Sequence, residues 1–202
     1  MPRTKTLHGA APDESETVLL IIDLISDFSF VDGAELARAA RRIVRNVARL
    51  SRRARESRVP VVYVNDSGGR WRSDRSELLE RCCRPESRGR TIVQQLAPEE
   101  RDYFIFKPKH SGFFATPLDA LLEHLGARTL ILTGVTVEQC VLFTAMDAYV
   151  RDYELVVPRD CVAGLKLRAQ ALRLMDQGLK AKVIDSPRVR VARQRRRSRK
   201  HE

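Results

Sequence analysis

Apolar residues along this chain collect in short uninterrupted runs, separated by longer stretches in which they recur every third or fourth position. Val18-Leu-Leu-Ile-Ile-Asp23 is too short for a helix and suits a strand buried on both faces. Val59 to Val64, Tyr103 to Phe106, Thr129 to Thr133, Glu154 to Val157 and Lys182 to Ile184 repeat the pattern. Between these runs, Leu36, Ala40, Ile43, Val47 and Leu50 trace one face of a helix with arginines opposite, and Pro117 to Leu125 and Val137 to Val150 follow the same rule. A further helix is expected over Leu165 to Gln177, closed by Gly178. Strands alternating with helices predict an α/β fold: a three-layer α/β/α doubly wound sheet, mostly parallel, of about six strands.

One long stretch, Asp66 to Pro98, departs from this rhythm, being rich in Gly, Ser, Arg and acid with a single apolar patch at Leu78 and Leu79. In open α/β sheets, long connections beyond the carboxyl ends of strands are where ligands bind, so this stretch reads as a lid or pocket wall.

Composition fits a single folded unit. A chain of 202 residues with 43% hydrophobic and 31% charged positions can bury one core and is globular, not disordered. The expected organisation is an extension over 1–16, one domain over 17–186, and a basic tail over 187–202 without fixed structure. The net charge of +11 invites a polyanion-binding reading until it is divided. Nine arginines between Glu35 and Arg58 against two glutamates give 9 − 2 = +7, and Arg188 to Glu202 gives 8 − 1 = +7, which leaves 11 − 14 = −3 for the remainder. The excess belongs to one helix and the tail. Those segments lack interleaved aromatics and any nucleic-acid-reading motif, which argues against nucleic acid and leaves the tail as its one possible contact.

No apolar run reaches the roughly 18 residues of a membrane span and Met1 to Glu16 has no apolar segment, so no membrane partner and a cytoplasmic setting are expected. Cys82, Cys83, Cys140 and Cys161 form neither a disulfide framework nor a C-x-x-C pair, and reduced thiols are expected. Cys82 and Cys83 read as an incidental surface pair, and Cys161 as core.

Three ionisable residues sit at or just beyond strand ends: Asp23 after the first, Lys107 after the third and Cys140 after the fourth. Such ends converge on one edge of a parallel sheet, so the three can share a pocket. Cys140 opens a helical run, where the positive end of the macrodipole favours a thiolate, and a nearby Lys107 ammonium lowers the thiol pKa further. Asp23 is placed to take the thiol proton and return it to a leaving group.

Ile21-Ile-Asp23-Leu-Ile-Ser-Asp-Phe28, Phe106-Lys107-Pro-Lys-His-Ser-Gly-Phe113 with Thr116, and Thr133-Gly-Val-Thr-Val-Glu-Gln-Cys140-Val-Leu-Phe-Thr-Ala-Met-Asp-Ala148 resemble the isochorismatase-like cysteine hydrolases. The match runs in order from about Thr17 to Ala163 and takes in Val61-Val-Tyr-Val-Asn65-Asp66 and Pro158-Arg-Asp160. The resemblance implies the Rossmann-like sheet already expected, an Asp23, Lys107, Cys140 triad, and a homo-oligomer. It also implies a cis Val135–Thr136 peptide aiming backbone N–H groups into an oxyanion hole with that of Cys140. Lys109 is a rival amine, two residues from the family position.

The nicotinamidase branch of that family holds a metal with an Asp and several His near the second strand, whereas this chain reads Asn65-Asp66-Ser-Gly-Gly-Arg70-Trp71 there. His8, His110, His124 and His201 lack ligand spacing, so neither metal nor other cofactor is expected. A Cys at position 140 points to acyl transfer through a thioester, with the amide or ureido C–N bond of a small molecule as the target. Phe28 and Trp71 are candidate pocket walls, and Asn65 or Arg70 candidates for polar substrate groups. The competing readings are a vinyl ether hydrolase of the isochorismatase type and a non-catalytic nucleic-acid-binding protein using the basic tail.

Overall fold

The structure, a computed structural model, describes residues 14–68 and 74–192. Six strands, β1 (Thr17–Ile22), β2 (Val61–Asp66), β3 (Tyr103–Lys107), β4 (Thr129–Gly134), β5 (Glu154–Pro158) and β6 (Lys182–Ile184), form one sheet in the order β3-β2-β1-β4-β5-β6. Every neighbouring pair is parallel. All six residues of β1 are buried, as its unbroken apolar run requires of a central strand.

Alternation along β1 divides the core in two. Leu19 and Ile21 point into a cluster built with α1 (Gly33–Glu56), α2 (Arg75–Cys83) and α3 (Arg90–Leu96). Val18, Leu20 and Ile22 point into the opposite cluster, with α4 (Leu118–Leu125), α5 (Leu142–Tyr149) and α6 (Arg168–Gln177). A sheet apolar on both faces is thus covered on both faces, giving the three-layer α/β/α architecture.

The segment 66–98 holds more structure than its composition suggests. It carries two helices, α2 and α3, in place of a plain wall. Asp74 caps α2 by accepting from the Glu77 N–H at 2.8 Å, and Leu78 and Cys82, one turn apart, are buried against the core. Ile92, Val93 and Leu96 of α3 are buried as well. Helices this short are marginal alone, so packing of α3 on α1 and of α2 on α3 stabilises them, and flanking charge masks their periodicity. Cys82 is accordingly a core residue and not part of a surface pair; only Cys83 is exposed.

Packing continues past the expected domain end at residue 186. Val189 is buried, and Arg53 of α1 donates to the carbonyls of Ser186 and Val189 at 2.9 and 2.7 Å. Of the tail over 187–202, residues 193–202 lie outside the described residues. Among the described residues, no helix is long and apolar enough to cross a membrane.

Candidate active site

From β1 the chain builds outward through β2 to β3, then returns to the other side of β1 as β4. The carboxyl ends of β1 and β4 therefore diverge into loops running in opposite directions, and a crevice opens between them. Asp23 follows β1 directly, with its N–H on the Val64 carbonyl at 3.1 Å and a left-handed φ of 52°. β4 ends at Gly134, whose φ of +117° and close approach to β1 exclude a side chain: a Cβ there would lie 2.0 Å from the Ile22 carbonyl oxygen. One residue further on, the Val135–Thr136 peptide bond is cis. A π-helical turn, Val137–Val141, then carries Cys140 and runs into α5. Lys107 is the last residue of β3.

These three strand ends bring Asp23, Lys107 and Cys140 together. Lys107 Nζ, on a fully buried side chain, lies 2.8 Å from Asp23 Oδ2 and donates to Cys140 Sγ at 3.5 Å. Asp23 Oδ1 accepts from the Asp66 N–H at 2.6 Å, which fixes the carboxylate from its other side. Asp66 Oδ2 lies 3.6 Å from Lys107 Nζ, and His110 Nδ1 lies 3.8 Å from Cys140 Sγ.

Electrostatics modifies the expectation for the thiol. Burial, followed by the adjacent Asp23 carboxylate, pushes the Cys140 thiol up to about 12, and the Lys107 ammonium offsets only part of this. The resting group is therefore a thiol and not the preformed thiolate that a helix N-terminus suggested. Burial likewise raises the Asp23 carboxyl above its ordinary value despite Lys107, making it a stronger proton acceptor than a solvated aspartate. Burial opposes the Lys107 charge, but Asp23, Cys140 and Asp66 outweigh it and hold its pKa above the usual value.

Asp23 and Cys140 line a cavity of about 470 Å³. Its apolar lining includes Ile25, Phe28, Leu36, Leu78 and Val135, and its polar lining includes Asn65, Thr136, Gln139 and Arg81. Phe28, a candidate wall residue, is among the side chains that line it. Asn65, only 2% exposed, donates from Nδ2 to the Ile25 carbonyl at 2.7 Å and so anchors the loop after β1, while its Oδ1 has no hydrogen-bond partner. Arg70 and Trp71 lie outside the described residues. Lys109 is exposed, and it is Lys107 that meets the thiol.

Asp66, His110 and Arg81 were missed from sequence. The strand-end rule that selects Asp23 also selects Asp66 at the close of β2, and His110 follows Lys107 on the same connection. Arg81 carries no such signal, since its orientation depends on a helix masked by charge. Among the described residues, no group of three or more His, Cys, Asp or Glu side chains is disposed to hold a metal ion.

The isochorismatase domain model matches residues 17–187. An uncharacterized isochorismatase family protein of Bacillus subtilis, YaaI, is 40% identical over 150 residues, 74% of this chain and 82% of that protein. A ureidoacrylate amidohydrolase, RutB, of Methylorubrum extorquens is 31% identical over 175 residues, covering 73% of this chain and 70% of its own length. The crystal structure of N-carbamoylsarcosine amidase from Thermoplasma acidophilum superposes with a TM-score of 0.70 at 28% identity, over 86% of this chain and 98% of the other. With the fold, the matched span and these relatives in agreement, the chain belongs to the isochorismatase family and is a hydrolase of that family.

Proposed function

We propose that the protein is a cysteine amidohydrolase that cleaves the amide or ureido C–N bond of a small molecule through a Cys140 thioester. The observation that carries this reading is the single buried cluster in which Lys107 Nζ reaches both Asp23 and Cys140 at the mouth of a 470 Å³ cavity. The named activities of the relatives, ureidoacrylate amidohydrolase and N-carbamoylsarcosine amidase, both concern C–N bonds and support the same bond class.

The chemistry follows from the proton inventory. With its pKa at about 12, the thiol needs a base at the moment of attack. Asp23 takes the proton as Sγ adds to the substrate carbonyl carbon, and Lys107 holds the Asp23 carboxylate in place while balancing the charge that passes to sulfur. Backbone N–H groups of the Val135–Thr136–Cys140 region receive the developing oxyanion. As the tetrahedral intermediate collapses the C–N bond breaks, and the Asp23 proton leaves with the amine. A water then gives a proton to Asp23 and adds to the thioester carbonyl; the C–S bond breaks, and Cys140 recovers its proton from Asp23. Atoms and charge balance without a cofactor.

A panel of small amides, ureido acids and isochorismate, assayed with wild type and Cys140→Ala, tests the assignment. Turnover of amide or ureido compounds is expected and should fall by at least about 10³-fold in the variant, as it does when a covalent nucleophile is removed. Turnover of isochorismate alone, undiminished in Cys140→Ala, would establish vinyl ether hydrolysis and overturn the thioester reading.

A further inference from the structure

The charge excess, split between two segments of the sequence, is gathered again by the fold. Arg38, Arg41, Arg42, Arg45, Arg49 and Arg52 are all exposed on α1, on the face opposite its buried Leu36, Ala40, Ile43, Val47 and Leu50. At 1.5 Å per residue they form a ridge about 21 Å long. Among the described residues none of the six is ion-paired, and the nearby carboxylates of Glu99 and Asp102 are taken by Arg55. Glu35 and Glu56 lie at the two ends of the helix, outside the ridge. Like charges three or four residues apart repel, so the ridge works against the helix that carries it.

Further basic residues are held beside this ridge. Arg41 Nη2 donates to the Arg88 carbonyl at 2.9 Å, which fixes the 84–90 connection against α1 with Arg84, Arg88 and Arg90 exposed and only Glu86 opposing them. Towards the C-terminal end of α1, Arg53 holds the carbonyls of Ser186 and Val189, and Arg188 and Arg190 are exposed there. A shallow groove of about 520 Å³ runs between α1 and α3, lined by Arg45, Ala48, Arg49, Arg52 and Gln95. The cavity at the strand ends takes only Leu36 from α1, so the basic face is a separate surface.

We propose that this face docks duplex nucleic acid through its phosphate backbone, without reading base sequence. The two segments of +7 then act as one surface. Every basic residue of α1 is arginine, whose planar fork meets a phosphate in two parallel hydrogen bonds where lysine offers a point charge. None of the exposed large apolar side chains lies on the ridge or on the segments beside it. A membrane therefore receives nothing to insert, and single-stranded bases find nothing to stack upon. The lack of a base-reading motif excludes sequence recognition, but contact with phosphates requires none.

Fluorescence anisotropy of a labelled DNA duplex of about 20 base pairs, titrated with the full-length protein between about 50 and 200 mM NaCl, tests the proposal. Six phosphate contacts predict a slope of about −5 for log K against log salt. Arg45→Gln/Arg49→Gln/Arg52→Gln should weaken binding at least about tenfold at the lowest salt and make the slope shallower by about 2.5, the share of three contacts. Lys166→Gln/Arg173→Gln/Lys182→Gln removes the same charge from other exposed positions and should change affinity by less than about threefold. All six substituted positions are exposed, so both variants should melt as the wild type does. No binding by wild type at the lowest salt, a slope shallower than about −3, or equal losses in the two triple variants overturns the proposal. So does duplex binding that survives intact in Arg45→Gln/Arg49→Gln/Arg52→Gln, since residues 193–202 would then carry it alone. A single strand of the same length and vesicles of phosphatidylglycerol should both bind more weakly than the duplex, and tighter binding of either overturns the assignment of the partner.

Discussion

At the scale of single residues, the site depends on where a proton rests. Three side chains of ordinary type acquire unusual acidities through burial beside one another: thiol and carboxyl are both raised, and the ammonium stays charged between them. Asp23 has two opposing effects on Cys140, since in the proposed reaction it accepts the thiol proton, whereas at rest it repels negative charge on sulfur. Asp23→Asn separates these effects. Turnover should fall by roughly 10² to 10⁴-fold with the general base gone. Alkylation of Cys140 by iodoacetamide at pH 8 should instead become faster, because removing the carboxylate lowers a thiol pKa now near 12 and enlarges the thiolate fraction. A parallel loss of both rates would mean that Asp23 only holds the site together. That Asp23, Lys107 and Cys140 lie at or beyond strand ends could be read from the sequence, but their acidities could not, since desolvation is set by neighbours distant in sequence: Lys107 lies 33 residues from Cys140.

Secondary-structure elements position those residues by close contacts between backbones. β4 must pass the end of β1 and turn at once into the segment that bears Cys140, and Gly134 permits this. Gly134→Ala should cost about 2 to 4 kcal/mol in urea unfolding, from a positive φ combined with a clash against the Ile22 carbonyl that neither strand can relieve. Turnover should fall with it, because Val135 N–H donates to that same carbonyl at 3.0 Å and sets the entry to the Cys140 turn. A stable and active Gly134→Ala protein would show that the turn does not need this approach. Gly89 makes a similar contact at the start of α3, where a Cβ would lie 1.7 Å from the Ser26 carbonyl, so α3 also shapes the loop bearing Phe28. The strands were legible because unbroken apolar runs admit few other readings. Helices α2 and α3 were not, since segments of about two turns, α2 crowded with Arg and Glu, give periodicity too little length to emerge.

Over the whole molecule, the charge excess is partly structural. The arginine stripe of α1 reads in sequence as a solvated face, yet Arg55 is largely buried, with Nη2 2.6 Å from Asp102 Oδ2 and Nη1 3.1 Å from Glu99 Oε1. Arg53 spans to the far end of the chain, clamping the 186–189 segment onto α1 through two carbonyls. Arg53→Met should therefore lower stability by about 1.5 to 3 kcal/mol in urea unfolding, the range for hydrogen bonds to a charged group. An exposed neighbour such as Arg52 should be near neutral on the same substitution; equal effects at both positions would show that net charge, and not the clamp, governs stability. By itself the sequence determined the strands, the main helices and their alternation, because unbroken apolar runs and a period of 3.6 are local properties of the chain. It also placed Asp23, Lys107 and Cys140 at strand ends. Only the tertiary structure decided that β4 returns to the free edge of β1, which makes those ends one crevice; that Asp66, His110 and Arg81 join them; and that the thiol rests protonated. Each of these depends on distances and desolvation between segments remote in the chain, which no local pattern encodes.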